Sequence, residues 1–383
     1  MKVNIKILVL SICLISGYAT AANLNQLIEL TDASKSWVVH DGNPLYYTSS
    51  KTHYQVDNQS IKSLDIYHPN AKISLSPDAS IRLLNLLQDL DEVKNGQRYS
   101  DFFVLDEHQE LLYKISKGSG LELKPYVSAV SDAGVLALAD PIQAKIFLYQ
   151  AGVMTAEGQL YESEGDYSLE RNISLQWVGE RCYILLERPG IDGSPAGQVL
   201  FIGINADGRG QKTAYLPFTY LQDFVFQHNR FFISGYNYDP EESKMSPMII
   251  EVTRDGQVLW TNENFGHELS ISSSGEYLAA LNSHELVQRF DLKQERVQQF
   301  EFRHENRAAL GMTINDQGHI AVIRVPVDFF VKRNTHFAQI FYPLSKQSVS
   351  IQIDPRYPKL FQLHSDGKRF FIGTNYEWLE IKQ

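Results

Sequence analysis

Apolar and polar side chains alternate along most of this chain in short runs, and small or turn-forming residues separate the runs. Residues 268–291 give the clearest example, with apolar residues at every second position before and after Ser274 and Gly275. This alternation places one face of a strand against a core and predicts two strands joined by a tight turn. A third alternating run follows at residues 286–290. The segment therefore predicts several short consecutive strands of one sheet.

The same unit recurs along the chain, and its first turn is the clearest marker. The markers are Asp41, Asp78, Ala133, Gly179, Asn229, Gly275, Gln317 and Gly367. They lie roughly 37 to 55 residues apart, which is close to the period of four-stranded propeller blades. Eight markers predict an all-β fold, a single β-propeller of eight blades. Seven blades is the alternative, because the first interval is the shortest and its strands are the least apolar.

The last unit ends at Gln383 after three predicted strands, so its fourth strand has to come from another part of the chain. Residues 26–31 precede the first unit and have a strand-like pattern. We expect this N-terminal segment to complete the last blade, because a closed ring removes the free sheet edges that promote aggregation. Residues 85–94 have a helical pattern and predict an insertion after a strand.

The first residues have the arrangement of a secretory signal peptide. Lys2 and Lys6 come first, an apolar core covers residues 7–17, and Ala19 and Ala21 form a small-residue cleavage site. We therefore expect residues 1–21 to be a signal peptide and residues 22–383 to form the propeller domain, which predicts a periplasmic or secreted protein. The apolar core is shorter than the roughly 20 residues that a spanning helix needs. No later stretch is apolar enough to enter a membrane, so we expect no membrane-spanning segment.

Composition and charge narrow the classes of function. A hydrophobic fraction of 43% and a charged fraction of 21% are those of a globular protein and exclude a disordered chain. A chain with a formal net charge of -10 lacks the basic surface that binding to phosphate requires, so we expect no nucleic-acid partner. Of the two cysteines, only Cys182 follows the predicted signal peptide, which excludes an internal disulfide in the mature monomer. Its apolar surroundings predict a buried, unreactive thiol, and a reactive or intermolecular thiol is the alternative.

The repeat spacing, the circular closure and Ser-Asp-Gly turns such as residues 365–367 resemble those of the WD-repeat and TolB-like β-propeller superfamily. The resemblance covers nearly all of residues 22–383 and implies the propeller fold. The Trp-Asp pair of true WD repeats is absent from the sequence. Because propellers serve as hydrolases, lyases, oxidoreductases and binding proteins, the resemblance implies no particular function.

The sequence contains no complete catalytic motif. Ser194 lies outside the Gly-x-Ser-x-Gly arrangement of a nucleophile elbow. His267 and His284 are each followed by Glu but lack the second His, four residues later, that zinc proteases need. The candidates for a metal site are His267, His284, Asp328 and His336, since imidazole and carboxylate groups suit several divalent ions. We therefore expect a non-catalytic protein without a cofactor. The alternative is a propeller enzyme, a metal-assisted hydrolase or lactonase-like protein, with its site at the mouth of the central channel.

In a four-stranded blade, the links between the second and third strands share one face of the ring, and the tight turns share the opposite face. We call these the loop-rich face and the turn face. The long insertions all fall on the loop-rich face, at residues 88–100, 188–198, 236–246 and 326–336. Long loops gathered on one rigid face are typical of binding sites.

Aromatic, amide and arginine side chains within these insertions are the candidates for recognition. They are Arg98, Tyr99, Tyr236, Asn237, Tyr238, Phe329 and Phe330. Tyr, Arg and Phe are enriched where proteins bind partners, although packing of the loops against one another explains these residues equally well. The sequence thus predicts a protein, peptide or glycan partner for the loop-rich face and leaves the oligomeric state open.

Overall fold

The computed structural model describes residues 23–30, 34–41, 43–49, 53–57, 60–63, 71–87, 100–116, 126–141, 143–160, 172–188, 198–239, 241–263, 268–282, 286–301, 307–326, 336–345, 347–353, 362–374 and 377–382. All regular secondary structure in these ranges is β-strand. Accordingly, this part of the chain contains no helix that could span a membrane.

The strands form eight antiparallel sheets of four, and each sheet is one blade. The first described strand is β1 (Asn23–Glu29), which belongs to the last blade. Blade 1 contains β2 (Ser34–His40), β3 (Asn43–Ser49), β4 (His53–Asp57) and β5 (Ser60–Ser63). Blade 2 contains β6 (Ala71–Leu75), β7 (Arg82–Leu87), β8 (Ser100–Leu105) and β9 (Leu111–Ile115). Blade 3 contains β10 (Val127–Val130), β11 (Leu136–Asp140), β12 (Lys145–Gln150) and β13 (Val153–Gln159).

The remaining blades continue in chain order. Blade 4 contains β14 (Ile173–Val178), β15 (Arg181–Arg188), β16 (Gln198–Asn205) and β17 (Lys212–Leu216). Blade 5 contains β18 (Tyr220–Gln227), β19 (Arg230–Asp239), β20 (Lys244–Val252) and β21 (Val258–Glu263). Blade 6 contains β22 (Leu269–Ile271), β23 (Tyr277–Asn282), β24 (Leu286–Asp291) and β25 (Arg296–Glu301). Blade 7 contains β26 (Arg307–Ile314), β27 (Ile320–Pro326), β28 (His336–Tyr342) and β29 (Gln347–Ile353). Blade 8 contains β30 (Gln362–Ser365), β31 (Phe370–Gly373), β32 (Glu377–Lys382) and β1.

First strands of neighbouring blades contact one another, as β18 does β22 and β22 does β26, so these strands surround the central axis. The sheets pack face to face between blades, and their side chains form the core there. Cys182 lies in the core between blades 3 and 4 and is fully buried, as predicted. Burial raises the pKa of its thiol, because an apolar environment disfavours the thiolate. The prediction of an all-β propeller with eight blades is confirmed.

All eight predicted turn markers lie between the first and second strands of a blade. In four blades, the first strand is followed by a buried Ser or Asn whose side chain accepts a hydrogen bond from a backbone N–H at the start of the second strand. These acceptors are Ser76, Ser131, Ser272 and Asn315, with distances of 2.9 to 3.1 Å. A short polar side chain that replaces a backbone acceptor makes a tight turn stable without water. This recurring role explains why the turns were visible in the sequence.

The ring closes through the N-terminal strand. β1 pairs antiparallel with β32, from Asn23 opposite Lys382 to Glu29 opposite Glu377. The predicted closing strand at residues 26–31 is therefore present, but it begins earlier and ends at Glu29, and residue 31 lies outside the described ranges.

Aromatic side chains fill the seam between blades 8 and 1. The rings of Trp37 and Trp378 lie 5.1 Å apart, and Phe371 stacks on Trp378 at 6.0 Å. The Trp37 indole N–H donates to the carbonyl of Thr374 at 2.8 Å, and Leu30 is buried in the same cluster. The first and last blades are thus joined by side chains as well as by strand pairing.

The helical prediction for residues 85–94 is wrong for residues 85–87, which belong to β7. Leu83, Leu84 and Asn85 are consecutive and all buried, so both faces of this strand are covered. A strand with two buried faces is apolar at successive positions, and periodicity alone does not distinguish it from a helix. Residues 88–94 lie outside the described residues.

Glycines in the turns between third and fourth strands lie against the preceding blade. Gly208 of blade 4 has φ +78° and Gly256 of blade 5 has φ +79°. A Cβ atom at Gly208 would overlap the Cβ of Ala156 on β13, and one at Gly256 would overlap the Cβ of Ala214 on β17. These positions therefore require glycine for its backbone conformation and for its lack of a side chain.

Candidate functional site

The second and third strands of blade 5 project from the loop-rich face as a two-stranded hairpin. Strand β18 pairs with β19 only as far as Tyr220 opposite Tyr236. Strand β21 pairs with β20 only as far as Glu263 opposite Met248. Beyond these pairs, residues 237–239 pair with residues 244–246, and no other strand in the described ranges pairs with either segment. We call residues 236–248 the blade 5 hairpin. The expectation that residues 236–246 form a loop is wrong, because alternating half-buried and exposed residues continue the strand pattern here.

The blade 5 hairpin carries three of the predicted recognition residues at its base. Tyr236 and Tyr238 are half-buried and share one face of the strand, whereas Asn237 is exposed on the other. Thr219 holds this base in place: its backbone N–H donates to the Tyr236 carbonyl at 2.8 Å, and its hydroxyl accepts the Tyr238 N–H at 3.0 Å. The same hydroxyl donates to the Asn237 side-chain oxygen at 3.2 Å. The tyrosines are therefore presented on a fixed backbone.

The close approach at Gly235 fixes the hairpin to the ring. A Cβ atom at Gly235 would meet the backbone oxygen of Tyr220 and would lie 2.9 Å from the Phe218 ring. At the tip, the Asp239 carboxylate accepts N–H groups from Glu241 at 2.9 Å and Glu242 at 3.2 Å. The tip is thus acidic and ordered by its own side chain, and Met245 is exposed beside it.

Three carboxylates on the loop-rich side join consecutive blades. Glu187 of blade 4 accepts the Leu221 N–H of blade 5 at 3.2 Å. Asp223 of blade 5 accepts the Leu269 N–H of blade 6 at 2.8 Å. Glu268, which precedes the first strand of blade 6, accepts the Met312 N–H of blade 7 at 3.1 Å. We call Glu187, Asp223 and Glu268 the inter-blade carboxylates.

Burial raises the pKa of every inter-blade carboxylate, because removal from water disfavours the charged form. The pKa of Glu268 rises to about 7, mainly through burial and further through the negative charge of Asp223. A carboxyl group with this pKa can donate or accept a proton near neutral pH. In the described part of the chain, no three His, Cys, Asp or Glu side chains converge to hold a metal ion.

Several solved structures have a fold similar to that of this chain. No protein-family model matches the sequence, and no curated protein matches it. The C-terminal WD40 domain of Sif2 is 12% identical, with 94% of this chain and 98% of that chain covered and a TM-score of 0.55. BamB from Moraxella catarrhalis is 11% identical, with the same coverage and a TM-score of 0.53. Sqt1 from Saccharomyces cerevisiae is 10% identical, again with the same coverage and a TM-score of 0.53. This chain has the β-propeller fold of these structures.

The TM-scores show that the propeller fold is shared. Sequence identities this low do not transfer an activity to this chain. The site of this propeller therefore has to be argued from its own residues. The structure brings together Tyr236, Asn237 and Tyr238 on the blade 5 hairpin. The other predicted recognition residues, Arg98, Tyr99, Phe329 and Phe330, lie outside the described residues, as do the metal candidates His267, His284 and Asp328. His336 begins β28 at the loop-rich face, and its side chain is outside the description.

The inter-blade carboxylates of the propeller were missed by the sequence argument. Asp223 lies within the strand at residues 220–227, among aromatic and apolar residues. An acid inside an apolar strand has to find a donor when it is buried. The acidic residue within an apolar strand is thus the signal that the sequence offers at Asp223. It does not reveal that the hydrogen-bond donor comes from the next blade.

Glu268→Gln is expected to change how the stability of the propeller depends on pH. The folded pKa of Glu268, about 7, lies above its ordinary value of 4.5, so its contribution to stability is present below pH 4.5 and is lost as the pH rises through 7. Gln keeps an oxygen for the Met312 N–H and carries no charge. Between pH 4.5 and pH 8, the free energy of unfolding of the variant should rise by on the order of 2 kcal/mol relative to that of the wild type, as measured by urea unfolding. Exposed Glu263→Gln is the control, and equal pH profiles for wild type and Glu268→Gln would contradict the assignment.

Proposed function

We propose that this protein is an exported β-propeller that binds a partner through the blade 5 hairpin on its loop-rich face, without catalysing a reaction. The observation that carries the proposal is the projecting hairpin with Tyr236, Asn237 and Tyr238 at its base. Of the protein, peptide and glycan partners that the sequence permits, a protein or peptide fits this geometry best. Among the described residues, the strand at residues 244–246 pairs only with residues 237–239, so its outer edge can accept a further strand, whereas the outward N–H of Tyr238 is already bound by Thr219.

Preorganisation supports a binding role. Tyrosine offers a large contact area at low cost in side-chain entropy, and a backbone that is already ordered loses little freedom when a partner binds. Thr219 and the close approach at Gly235 supply this order. The acidic tip at Asp239, Glu241 and Glu242 would favour a partner with a basic surface beside the apolar contact.

The use of the inter-blade carboxylates supports a role without catalysis. Each of them accepts an N–H group from the next blade and so has a role in holding the ring together that requires no reaction. Export is supported by Lys2, Lys6 and the apolar core at residues 7–17, followed by the small residues Ala19 and Ala21. The fully buried thiol of Cys182 suits an oxidising compartment, because it is sheltered from disulfide exchange.

Replacement of Tyr236 and Tyr238 by Ala is expected to weaken partner binding about thirtyfold, because truncation of a central aromatic contact typically costs about 2 kcal/mol. The partner is first isolated from the exported fraction of the source organism with the wild-type protein, and Kd is then measured by calorimetry. The double variant should keep its strand content by circular dichroism, since the hairpin backbone is held by Thr219.

Tyr215→Ala is the matched control, because Tyr215 is 63% exposed on β17 of blade 4 and lies outside the hairpin. The control should bind like the wild type. Full affinity in the double variant, or an equal loss in Tyr215→Ala, would show that the blade 5 hairpin is not the binding site.

A further inference from the structure

A cleft opens on the turn face between blades 3 and 4, on the side of the ring opposite the blade 5 hairpin. Its volume is about 570 Å³, within the range of sites that hold small molecules or single side chains of a partner. The walls are the tight turns of both blades. They contribute Asp132, Gln150, Thr155, Glu180, Ala206 and Asp207.

The charge of the cleft has one sign. Asp132, Glu180 and Asp207 line it, and no described Lys, Arg or His does. The Asp132 carboxylate accepts the Asp78 N–H at 2.9 Å, which fixes its orientation. Among the described residues, the Glu180 side chain has no hydrogen-bond or ion-pair partner. The nearby cation is Arg209, whose guanidinium is 87% exposed and 3.9 Å from Asp207, so the pair is weak.

An exposed apolar side chain adjoins the cleft. Val153, at the start of β13, is 65% exposed and pairs with Gln150 of the cleft wall, so these two side chains share the face of blade 3 that is turned toward blade 4. Met154 pairs with Tyr149, which is buried between blades 2 and 3, so Met154 lies on the opposite face and outside the cleft. Val153 therefore offers apolar contact area at the edge of the cleft.

The three carboxylates do not share a metal ion, because the described side chains include no metal-holding group of three acids or histidines. They stand on separate turns around the cavity, which suits a cation on a long and flexible stem. We propose that the cleft between blades 3 and 4 is a second binding site, which takes a lysine or arginine side chain of an extended peptide segment with a neighbouring apolar side chain that rests on Val153. The site is independent of the loop-rich face.

The proposal is tested on the full mature protein with three synthetic peptides. The probe is acetyl-Val-Lys-Val-Lys-Val-amide, and the two matched peptides carry Gln or Glu in place of Lys. Binding is followed by calorimetry and by the NMR amide shifts of Gly179 and Gly208, which border the cleft, with Gly311 of blade 7 as the reference. We expect the Lys peptide to shift Gly179 and Gly208 but not Gly311, and the Glu peptide to shift none of them.

Neutralising the cleft tests the charge requirement. The variant Asp132→Asn, Glu180→Gln, Asp207→Asn keeps the shape and the acceptor oxygens, and it should bind the Lys peptide about tenfold more weakly, as expected for the loss of three solvent-exposed ionic contacts. The control variant Asp255→Asn, Glu263→Gln, Glu295→Gln removes the same formal charge from exposed positions on blades 5 and 6. It should bind the Lys peptide like the wild type.

Several outcomes would overturn the proposal. Equal weakening in the control variant would show attraction to the net charge of the protein and no site. Equal binding of the Lys and Glu peptides, or shifts at Gly311 alone, would remove the cleft as a cation site. A wild-type dimer in sedimentation that the cleft variant dissociates would identify the occupant as a second copy of this chain.

Discussion

A chain that begins at Ser34 will lose about 5 kcal/mol of its free energy of unfolding relative to one that begins at Ala22. The truncation removes β1, which forms the outer strand of blade 8 and pairs with β32 over most of its length. Several backbone hydrogen bonds are lost, each worth about 1 kcal/mol. The truncation also removes Leu30, which is buried against Trp37 and Trp378 and whose burial contributes about 2 kcal/mol. A loss of this size is comparable to the whole stability of a typical domain.

The measurement is urea unfolding followed by tryptophan fluorescence, since Trp37 and Trp378 report on the seam itself. A chain beginning at Ala22 serves as the control, because it retains all of β1. We also expect the shorter chain to self-associate, since β32 becomes a free edge. If the chain beginning at Ser34 unfolded at the same urea concentration as the control, the ring would not depend on this strand.

Gly256→Ala is expected to lower the free energy of unfolding by about 3 kcal/mol, whereas Gly179→Ala should lower it by about 1 kcal/mol. Both glycines have positive φ, +79° and +58°, so both substitutions incur the cost of a left-handed backbone. At Gly256 the new Cβ would also overlap the Cβ of Ala214 on blade 4, whereas no atom lies within 4 Å of a Cβ at Gly179. The difference between the two variants measures how tightly blades 4 and 5 pack on the turn face.

The double variant Gly256→Ala, Ala214→Gly separates the two costs. Removal of the Ala214 methyl group should restore the stability that the overlap of the two Cβ atoms removes. The loss that comes from the left-handed backbone of residue 256 should remain. Equal costs for Gly256→Ala and Gly179→Ala in urea unfolding would mean that the two blades do not press on each other at this turn.

The repeat could be predicted because each tight turn uses local chemistry. Ser76, Ser131 and Ser272 each accept a hydrogen bond from a residue four or five positions later. Such a requirement is confined to a few neighbouring residues and is therefore visible in one sequence. The closing strand was predictable for a different reason, since a last blade with three strands needs a fourth.

The missed features depend on contacts between distant parts of the chain. Nothing near Asp223 in the sequence shows that its donor is Leu269 of the next blade. The cleft between blades 3 and 4 likewise arises from turns that are separated in sequence, at Asp132 and Glu180. The blade 5 hairpin was mistaken for a loop because Asp239, Pro240 and Ser243 favour turns.

The pairing of β1 with β32 also determines when the molecule can finish folding. Asn23 leaves the ribosome long before its partner Lys382. Until β32 has been synthesised, the earlier blades form an open row, and the contacts that close the seam cannot exist. Native contacts between residues so far apart in the chain form slowly. The ring therefore stays open until β32 is free to pair, whatever the state of the earlier blades.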